Sequence, residues 1–183
     1  MFKKTLYRNQ MSVLKGNYNF RILNRIPLLI IMFFALYCEL SAQEPPPRPI
    51  DVTVNQGLAF GAFAQGAVGG TITINPASAR SFSGDIILLN LGYAFSAAIY
   101  KLVGNPGTVV SLLNGPDVPI SGSNGGSMIL HIGASDPVWP FVITTLPPAF
   151  TLMNVGGTLT VGSPASNPPG NYSGTFDITF IQE

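Results

Sequence analysis

Short runs of alternating apolar and polar residues dominate the chain from residue 50 onward. Val, Ile, Thr and Phe recur with a period of two, and Gly or Pro separates one run from the next. This pattern predicts β-strands joined by turns. The predicted strands cover residues 50–54, 58–64, 71–75, 86–89, 95–103, 108–113, 128–132, 141–145, 158–161 and 172–181.

The spacing of these runs indicates the fold class. A strand recurs about every ten residues, and no apolar stripe has the 3.6-residue period of a helix. The only candidate helical turns lie near residues 78–80 and 147–150. We therefore predict an all-β, immunoglobulin-like antiparallel sandwich rather than a βαβ arrangement.

The last predicted strand has the clearest alternation. Its apolar residues Tyr172, Phe176, Ile178 and Phe180 all fall at even positions, and the odd positions are polar. The even positions are therefore expected to face the core. Because a Pro-Gly corner precedes Tyr172, its hydroxyl is placed either to bond back to the preceding loop, as in a tyrosine corner, or simply to pack.

The first predicted strand permits two arrangements. Ile50, Val52 and Val54 alternate with polar residues. The strand can close an edge of its own sandwich or add to the edge of a neighbouring molecule. We favour insertion into its own domain, with all three apolar side chains buried.

A basic and then apolar leader precedes this region. Residues 1–42 carry six Lys or Arg against one Glu, a net charge of +5, and residues 26–38 form an apolar run too short to span a bilayer comfortably. We interpret the leader as a signal peptide cleaved after Ala42, with Met1 or Met11 as the start. An uncleaved anchor and lipidation of Cys38 are the alternatives. Residues 43–49 then form a proline-rich spacer and residues 50–183 the sandwich domain.

The charge changes sign after the leader. Residues 43–183 carry three Lys or Arg against seven Asp or Glu, a net charge of −4. This balance excludes a basic nucleic-acid-binding surface in the exported part of the chain. The mature protein is not expected to span a membrane.

The chain offers few residues for catalysis. His131, the sole His, alternates with Leu130 and is expected either to face solvent or to be a structural residue with its hydrogen bonds satisfied. A Ser-His-Asp site would need Asp85, Asp117 or Asp136 as its acid. One His and one Cys cannot form an all-protein His/Cys metal cage. We predict no enzymatic activity, no catalytic, cofactor-binding or metal site, and no cofactor.

Two further features bear on binding. Trp139, the sole Trp, is either a core residue or an exposed platform for a sugar ring. Asn171-Tyr172-Ser173 matches the N-glycosylation sequon, which is a weak pattern by itself.

Four motifs occur in a fixed order, namely LAFGAF at 58–63, GGTITI at 69–74, GGTLTV at 156–161 and PGNYSGTF at 169–176. Together they resemble the bacterial family named domain of unknown function 4402, over residues 50–181. That family is similar in layout to spore coat U proteins and chaperone-usher pilin subunits. The resemblance implies an immunoglobulin-like, exported and non-enzymatic domain. The chain departs from chaperone-dependent pilins in continuing past Phe180 to Glu183.

We therefore expect a secreted bacterial surface subunit with a structural or adhesive, fimbria-like role. The alternative is a monomeric extracellular module that binds carbohydrate or another ligand through Trp139 and loop residues 121–127. A secreted hydrolase is a third hypothesis. The expected partners are other copies of the chain, other cell-surface proteins or a glycan. The expected location is the periplasm, the cell surface or the extracellular medium.

Overall fold

A computed structural model describes residues 48–183 of the protein. The predicted signal peptide and residues 43–47 of the predicted spacer lie outside these residues. Within them the regular structure is entirely β-strand: β1 (Asp51–Gln56), β2 (Ala59–Phe60), β3 (Ala62–Ile74), β4 (Arg80–Leu89), β5 (Phe95–Ser96), β6 (Ala98–Val103), β7 (Val109–Asn114), β8 (Val118–Gly122), β9 (Ser127–Asp136), β10 (Phe141–Val142), β11 (Thr151–Val161), β12 (Tyr172–Ser173) and β13 (Ile178–Gln182).

Strand β11 is the centre of the main sheet. Strand β9 pairs along one of its edges, while β6 pairs with the first half of the other edge and β3 with the second half. Strand β1 extends the sheet beyond β6, β4 extends it beyond β3, and β8 and β12 extend it beyond β9. All of these pairings are antiparallel, which confirms the predicted fold class.

A second layer covers the inner face of this sheet. It contains the three-stranded sheet β10-β7-β13 and the short pair β2-β5. Val110, Leu112 and Ile143 from this layer are almost fully buried. The ring of Phe180 packs edge-on against Tyr100 of the main sheet, with 5.4 Å between the ring centroids. The two layers therefore share one hydrophobic core.

The alternation predicted for residues 172–181 is confirmed, but the prediction of one continuous strand over these residues is wrong. Tyr172, Phe176, Ile178 and Phe180 are partly buried against the core, and the odd positions are exposed. The chain leaves the ladder between β12 and β13, because β12 pairs with β8 in the main sheet and β13 pairs with β7 in the second. The segment therefore crosses from one layer to the other while its even-numbered side chains continue to face the core.

The first predicted strand lies within its own domain. Strand β1 pairs with β6, in agreement with self-insertion, and Ile50 and Val52 pack against the core. Burial of Val54 was predicted wrongly, because this side chain is 67% exposed. The register with β6 shifts between Val54 and Gln56, so a β-bulge follows Val54. Beyond Val52, Gln56 is the only residue of β1 that is partly buried.

Two other local predictions need correction. Strand β8 was not predicted, since Pro119 interrupts its apolar pattern. The expected helical turns near residues 78–80 and 147–150 are single hydrogen-bonded turns. They are closed by the Ser78 amide donating to the Asn75 carbonyl and by the Ala149 amide donating to the Leu146 carbonyl.

The residues beyond Phe180 belong to the fold. Gln182 lies in β13, and its side-chain oxygen accepts a hydrogen bond from the Ile50 amide at 3.0 Å. Its side-chain nitrogen donates to the Arg48 carbonyl at 3.1 Å. One glutamine thus ties the last strand to the start of the first.

Candidate functional site

An open groove of about 590 Å³, lined by uncharged residues, lies beside the second half of β11. Its floor is made of core side chains from the main sheet, Ile120, Met128, Leu130 and Leu159. One wall is formed by residues 58–63 and the rim loop, which we define as residues 89–95, and the other by residues 168–174 with Phe176. The four floor residues are almost fully buried, so the groove lies directly above the hydrophobic core.

Arg80 holds the first wall in place. Its guanidinium donates to the Phe60 carbonyl at 2.9 Å, to the Ala62 carbonyl at 3.2 Å and to the Leu89 carbonyl at 3.3 Å. The same group lies 4.4 Å from the centroid of the Phe95 ring. Five donors in a rigid plane allow an arginine to join several backbone segments at once.

Gly61 makes this arrangement possible. Its φ of +70° places the backbone in the left-handed region, where a side chain is strained. A Cβ at this position would also lie 2.7 Å from Arg80 Nη1. The glycine therefore lets the wall turn sharply while two neighbouring carbonyls face the guanidinium.

Tyr172 anchors the second wall. Its hydroxyl donates to the Pro168 carbonyl at 2.7 Å, so of the two arrangements expected from the sequence the bond back to the preceding loop is the one formed. Two residues further, the backbone of Gly174 lies directly on the groove floor, since a Cβ there would be 2.8 Å from Ile120 Cγ2. The hydrogen bond of Tyr172 and the absence of a side chain at Gly174 together set how closely this wall approaches the core.

Asn167 joins the second wall to the strands below it. It is 2% exposed, and its side-chain oxygen accepts a hydrogen bond from the Gly162 amide at 2.5 Å. Its side-chain nitrogen donates to the Ser127 carbonyl at 2.7 Å. The Asn167 carbonyl in turn accepts a bond from Gln65 Nε2 at 2.7 Å, which connects the two walls.

The groove has no charged group to direct a polar reaction. Its lining residues, all within the described part of the chain, include no Asp, Glu, Lys, Arg or His. The polar side chains among them are uncharged, such as Gln65 and Asn171. A surface of this kind favours the burial of apolar groups from a partner, because burying charge there would be unfavourable.

The residues considered for catalysis lie elsewhere. His131 is exposed on the outer face of the main sheet, as predicted, and its Nδ1 lies 2.7 Å from Asp117 Oδ1. Of the three acids considered, Asp117 is therefore the one that meets the histidine. Within residues 48–183 no serine hydroxyl hydrogen-bonds to this imidazole, so the pair is not joined to a nucleophile.

Trp139 is accessible rather than a core residue, with 46% of its surface exposed. It follows the last residue of β9, whereas loop residues 121–127 precede that strand. Ten residues of extended chain separate the two ends of β9 by about 30 Å. The proposed combination of Trp139 with residues 121–127 in one binding site is therefore not formed.

The described residues also bear on metal binding and membrane insertion. Between residues 48 and 183, no three or more His, Cys, Asp or Glu side chains cluster as metal ligands would. The same stretch contains no helix with the length and apolarity needed to cross a bilayer.

The groove and Arg80 were missed by sequence reasoning. The groove depends on segments more than a hundred residues apart in the chain, such as Gln65 and Asn167. The available indication was a single Arg among apolar strands, with glycine-containing aromatic segments before it. The guanidinium of such an arginine needs hydrogen bonds either to solvent or to backbone carbonyls.

Comparison with known proteins gives one family. The family model described as "Domain of unknown function (DUF4402)" matches residues 50–181. No curated protein and no solved structure matches the chain.

Proposed function

Since the chain belongs to the DUF4402 family, whose region covers the whole sandwich, we propose that it is an exported bacterial surface subunit with a structural or adhesive, fimbria-like role. In this proposal the leader directs export to the periplasm, the cell surface or the medium. The domain then acts by binding protein rather than by catalysis. One observation carries the proposal, namely the open, uncharged groove that lies above core residues of the main sheet.

The groove supports protein docking for a physical reason. Ile120, Met128, Leu130 and Leu159 are already mostly buried, so an occupant would complete the second layer above them. Each fully buried aliphatic side chain that a partner contributes adds about 1.5–3 kcal/mol before entropy is subtracted. The uncharged walls impose no competing cost of burying charge.

A groove-filling substitution tests this proposal. Ala94 is exposed and lines the groove, so Ala94→Trp adds bulk to the groove without removing a core contact. Ala134 is equally small and exposed on β9, outside the groove lining, and Ala134→Trp is the matched control. Both variants would be expressed in the native host, located by protease treatment of intact cells and of cells with a permeabilised outer membrane, and sized on native gels.

We expect all three chains to be exported and accessible on the cell exterior or in the periplasm. The parent chain and Ala134→Trp should occur in high-molecular-mass assemblies, and Ala94→Trp should not. A chain retained in the cytoplasm contradicts export. Assemblies that are unchanged in Ala94→Trp contradict docking through the groove.

The exposure of Trp139 favours a second candidate, a carbohydrate-binding module. A half-exposed indole can stack on a sugar ring, which is how many protein surfaces hold sugars. In this case a glycan array probed with the exported chain gives a saturable signal that Trp139→Ala removes and Ala94→Trp leaves unchanged. Absence of any saturable signal excludes this candidate.

A further inference from the structure

An asparagine followed by a glycine occurs twice in the chain, at Asn114-Gly115 and at Asn124-Gly125. In such a dipeptide the side-chain amide is open to attack by the backbone nitrogen of the glycine, because glycine has no side chain to hinder the approach. Whether the attack occurs depends on how firmly the folded protein holds the two groups. The two dipeptides lie in different surroundings, so each serves as a reference for the other.

Asn124-Gly125 lies in the loop between β8 and β9, residues 123–126, and every residue of this loop is exposed. Gly125 has a φ of +88°, and nothing lies within 4 Å of where its Cβ would be. The Gly125 amide donates to the Gly122 carbonyl at 3.1 Å, and Asn124 Nδ2 donates to the Pro169 carbonyl at 2.6 Å. Water can replace both partners at an exposed turn, so a brief opening of the loop frees the nitrogen and the side-chain amide together.

Asn114-Gly115 is held by the fold instead. Asn114 is the last residue of β7 and is partly buried. Its side-chain nitrogen donates to the Ile132 carbonyl at 3.2 Å and to the Gly133 carbonyl at 3.3 Å, and its side-chain oxygen is buried. The Gly115 amide donates to the Asp177 carbonyl at 3.1 Å. Attack at this site requires the end of β7 to separate from all of these partners, so the folded protein protects Asn114.

We propose that Asn124 is a modification site, at which the side-chain amide is converted without an enzyme to aspartate and isoaspartate. The Gly125 nitrogen attacks Asn124 Cγ, so that a new C–N bond forms and the bond from Cγ to Nδ2 breaks. The proton of the Gly125 amide leaves with the side-chain nitrogen as ammonia. Water then opens the cyclic imide: attack at Cγ gives aspartate, and attack at the backbone carbonyl gives isoaspartate, whose chain continues through the side chain. The only other reactant is water.

The modification affects the second wall of the groove, because the loop is bonded to that wall. Besides the bond from Asn124, the Ser123 amide donates to the Asn171 carbonyl at 2.9 Å, and the Asn171 amide donates to Ser123 Oγ at 3.1 Å. A carboxylate has no hydrogen to donate to the Pro169 carbonyl. Isoaspartate also lengthens the backbone beside Ser123 by one carbon, which displaces the bonds to Asn171. The modified loop therefore holds the second wall less firmly, whatever partner the groove binds.

Peptide mapping by mass spectrometry tests the modification. The purified chain is incubated at mildly alkaline pH, both folded and in guanidinium chloride, beside Asn124→Gln, which keeps an amide but closes the ring much more slowly. In the folded chain, conversion at Asn124 should be at least about tenfold faster than at Asn114, whereas in guanidinium chloride the two rates should be similar. Asn124→Gln should stay unconverted at that position. Equal rates at the two sites in the folded chain, or an intact Asn124 after the time in which the unfolded chain is converted, overturn the proposal.

Hydrogen–deuterium exchange before and after this incubation tests the effect on the wall. Peptides covering residues 168–174 should exchange faster in the incubated parent chain than in the fresh one, with no such change in Asn124→Gln. Peptides covering residues 137–142 should exchange at the same rate throughout. Unchanged exchange at residues 168–174 in a chain converted at Asn124 overturns the proposed loosening. Neither measurement depends on export or assembly, so this inference and the proposed function can fail separately.

Discussion

Asn167 provides a sensitive test of how the groove is built. Asn167→Ala removes the bonds from the Gly162 amide and to the Ser127 carbonyl, both made by the side chain of a residue that is 2% exposed. Each intramolecular hydrogen bond contributes about 0.5–1.5 kcal/mol net, and each buried backbone group left without a partner costs about 1–3 kcal/mol. We therefore expect the free energy of unfolding to fall by about 2–4 kcal/mol.

Urea denaturation followed by circular dichroism measures this loss. Asn124→Ala is the matched control, because Asn124 also donates from its side chain to a backbone carbonyl, that of Pro169 at 2.6 Å, but is exposed. Water replaces the lost partner there, so the control should change stability by less than about 1 kcal/mol. Equal effects of the two substitutions would refute the view that the buried amide holds the wall.

Three further predictions concern Tyr172, Tyr100 and the first residue of the mature chain. Tyr172→Phe should lower the free energy of unfolding by about 1 kcal/mol through loss of one hydrogen bond, whereas His131→Ala should be nearly silent in the same urea titration. Burial, together with the charge of Asp177, raises the pKa of Tyr100. The neutral phenol therefore contributes its full stabilisation of the folded state below pH about 10, and this contribution is lost as the pH rises through the pKa of Tyr100 in the folded protein. Tyr100→Phe should remove this loss when the free energy of unfolding is measured at alkaline pH. N-terminal sequencing of exported chain should begin at Gln43, and a start at Met1 or Met11 would contradict signal cleavage.

Much of the sandwich could be predicted from alternation alone. Residues 172–180 keep one parity across a break between two sheets, because the side chains on that face meet the core on both sides of the break. His131 lies on the outer face for the same reason. Alternation is a local consequence of one face being buried, so it can be read without knowing the partner strands.

The wrong predictions concern positions where pairing with a neighbouring strand, rather than the local alternation of apolar and polar residues, decides the structure. The bulge after Val54 depends on the register with β6 and leaves no mark in the sequence of β1. In the sequence, Pro119 indicates a break in a strand. In the structure, β12 pairs only with Ser121 and Gly122 of β8, so no strand pairs with that edge of β8 at Pro119 and the missing amide hydrogen is tolerated. The contacts of Asn167 and Arg80 likewise depend on long-range packing.

Hydrogen–deuterium exchange of the purified chain at low and high concentration tests most directly whether the groove is the surface through which the subunit assembles. Slower exchange at high concentration is expected in peptides covering both groove walls, residues 58–63 and 168–176, and the rim loop. Peptides covering residues 137–142, which contain Trp139, should exchange at the same rate at both concentrations. Slowing confined to residues 137–142, or no slowing at the walls although the chain assembles, would contradict docking in the groove.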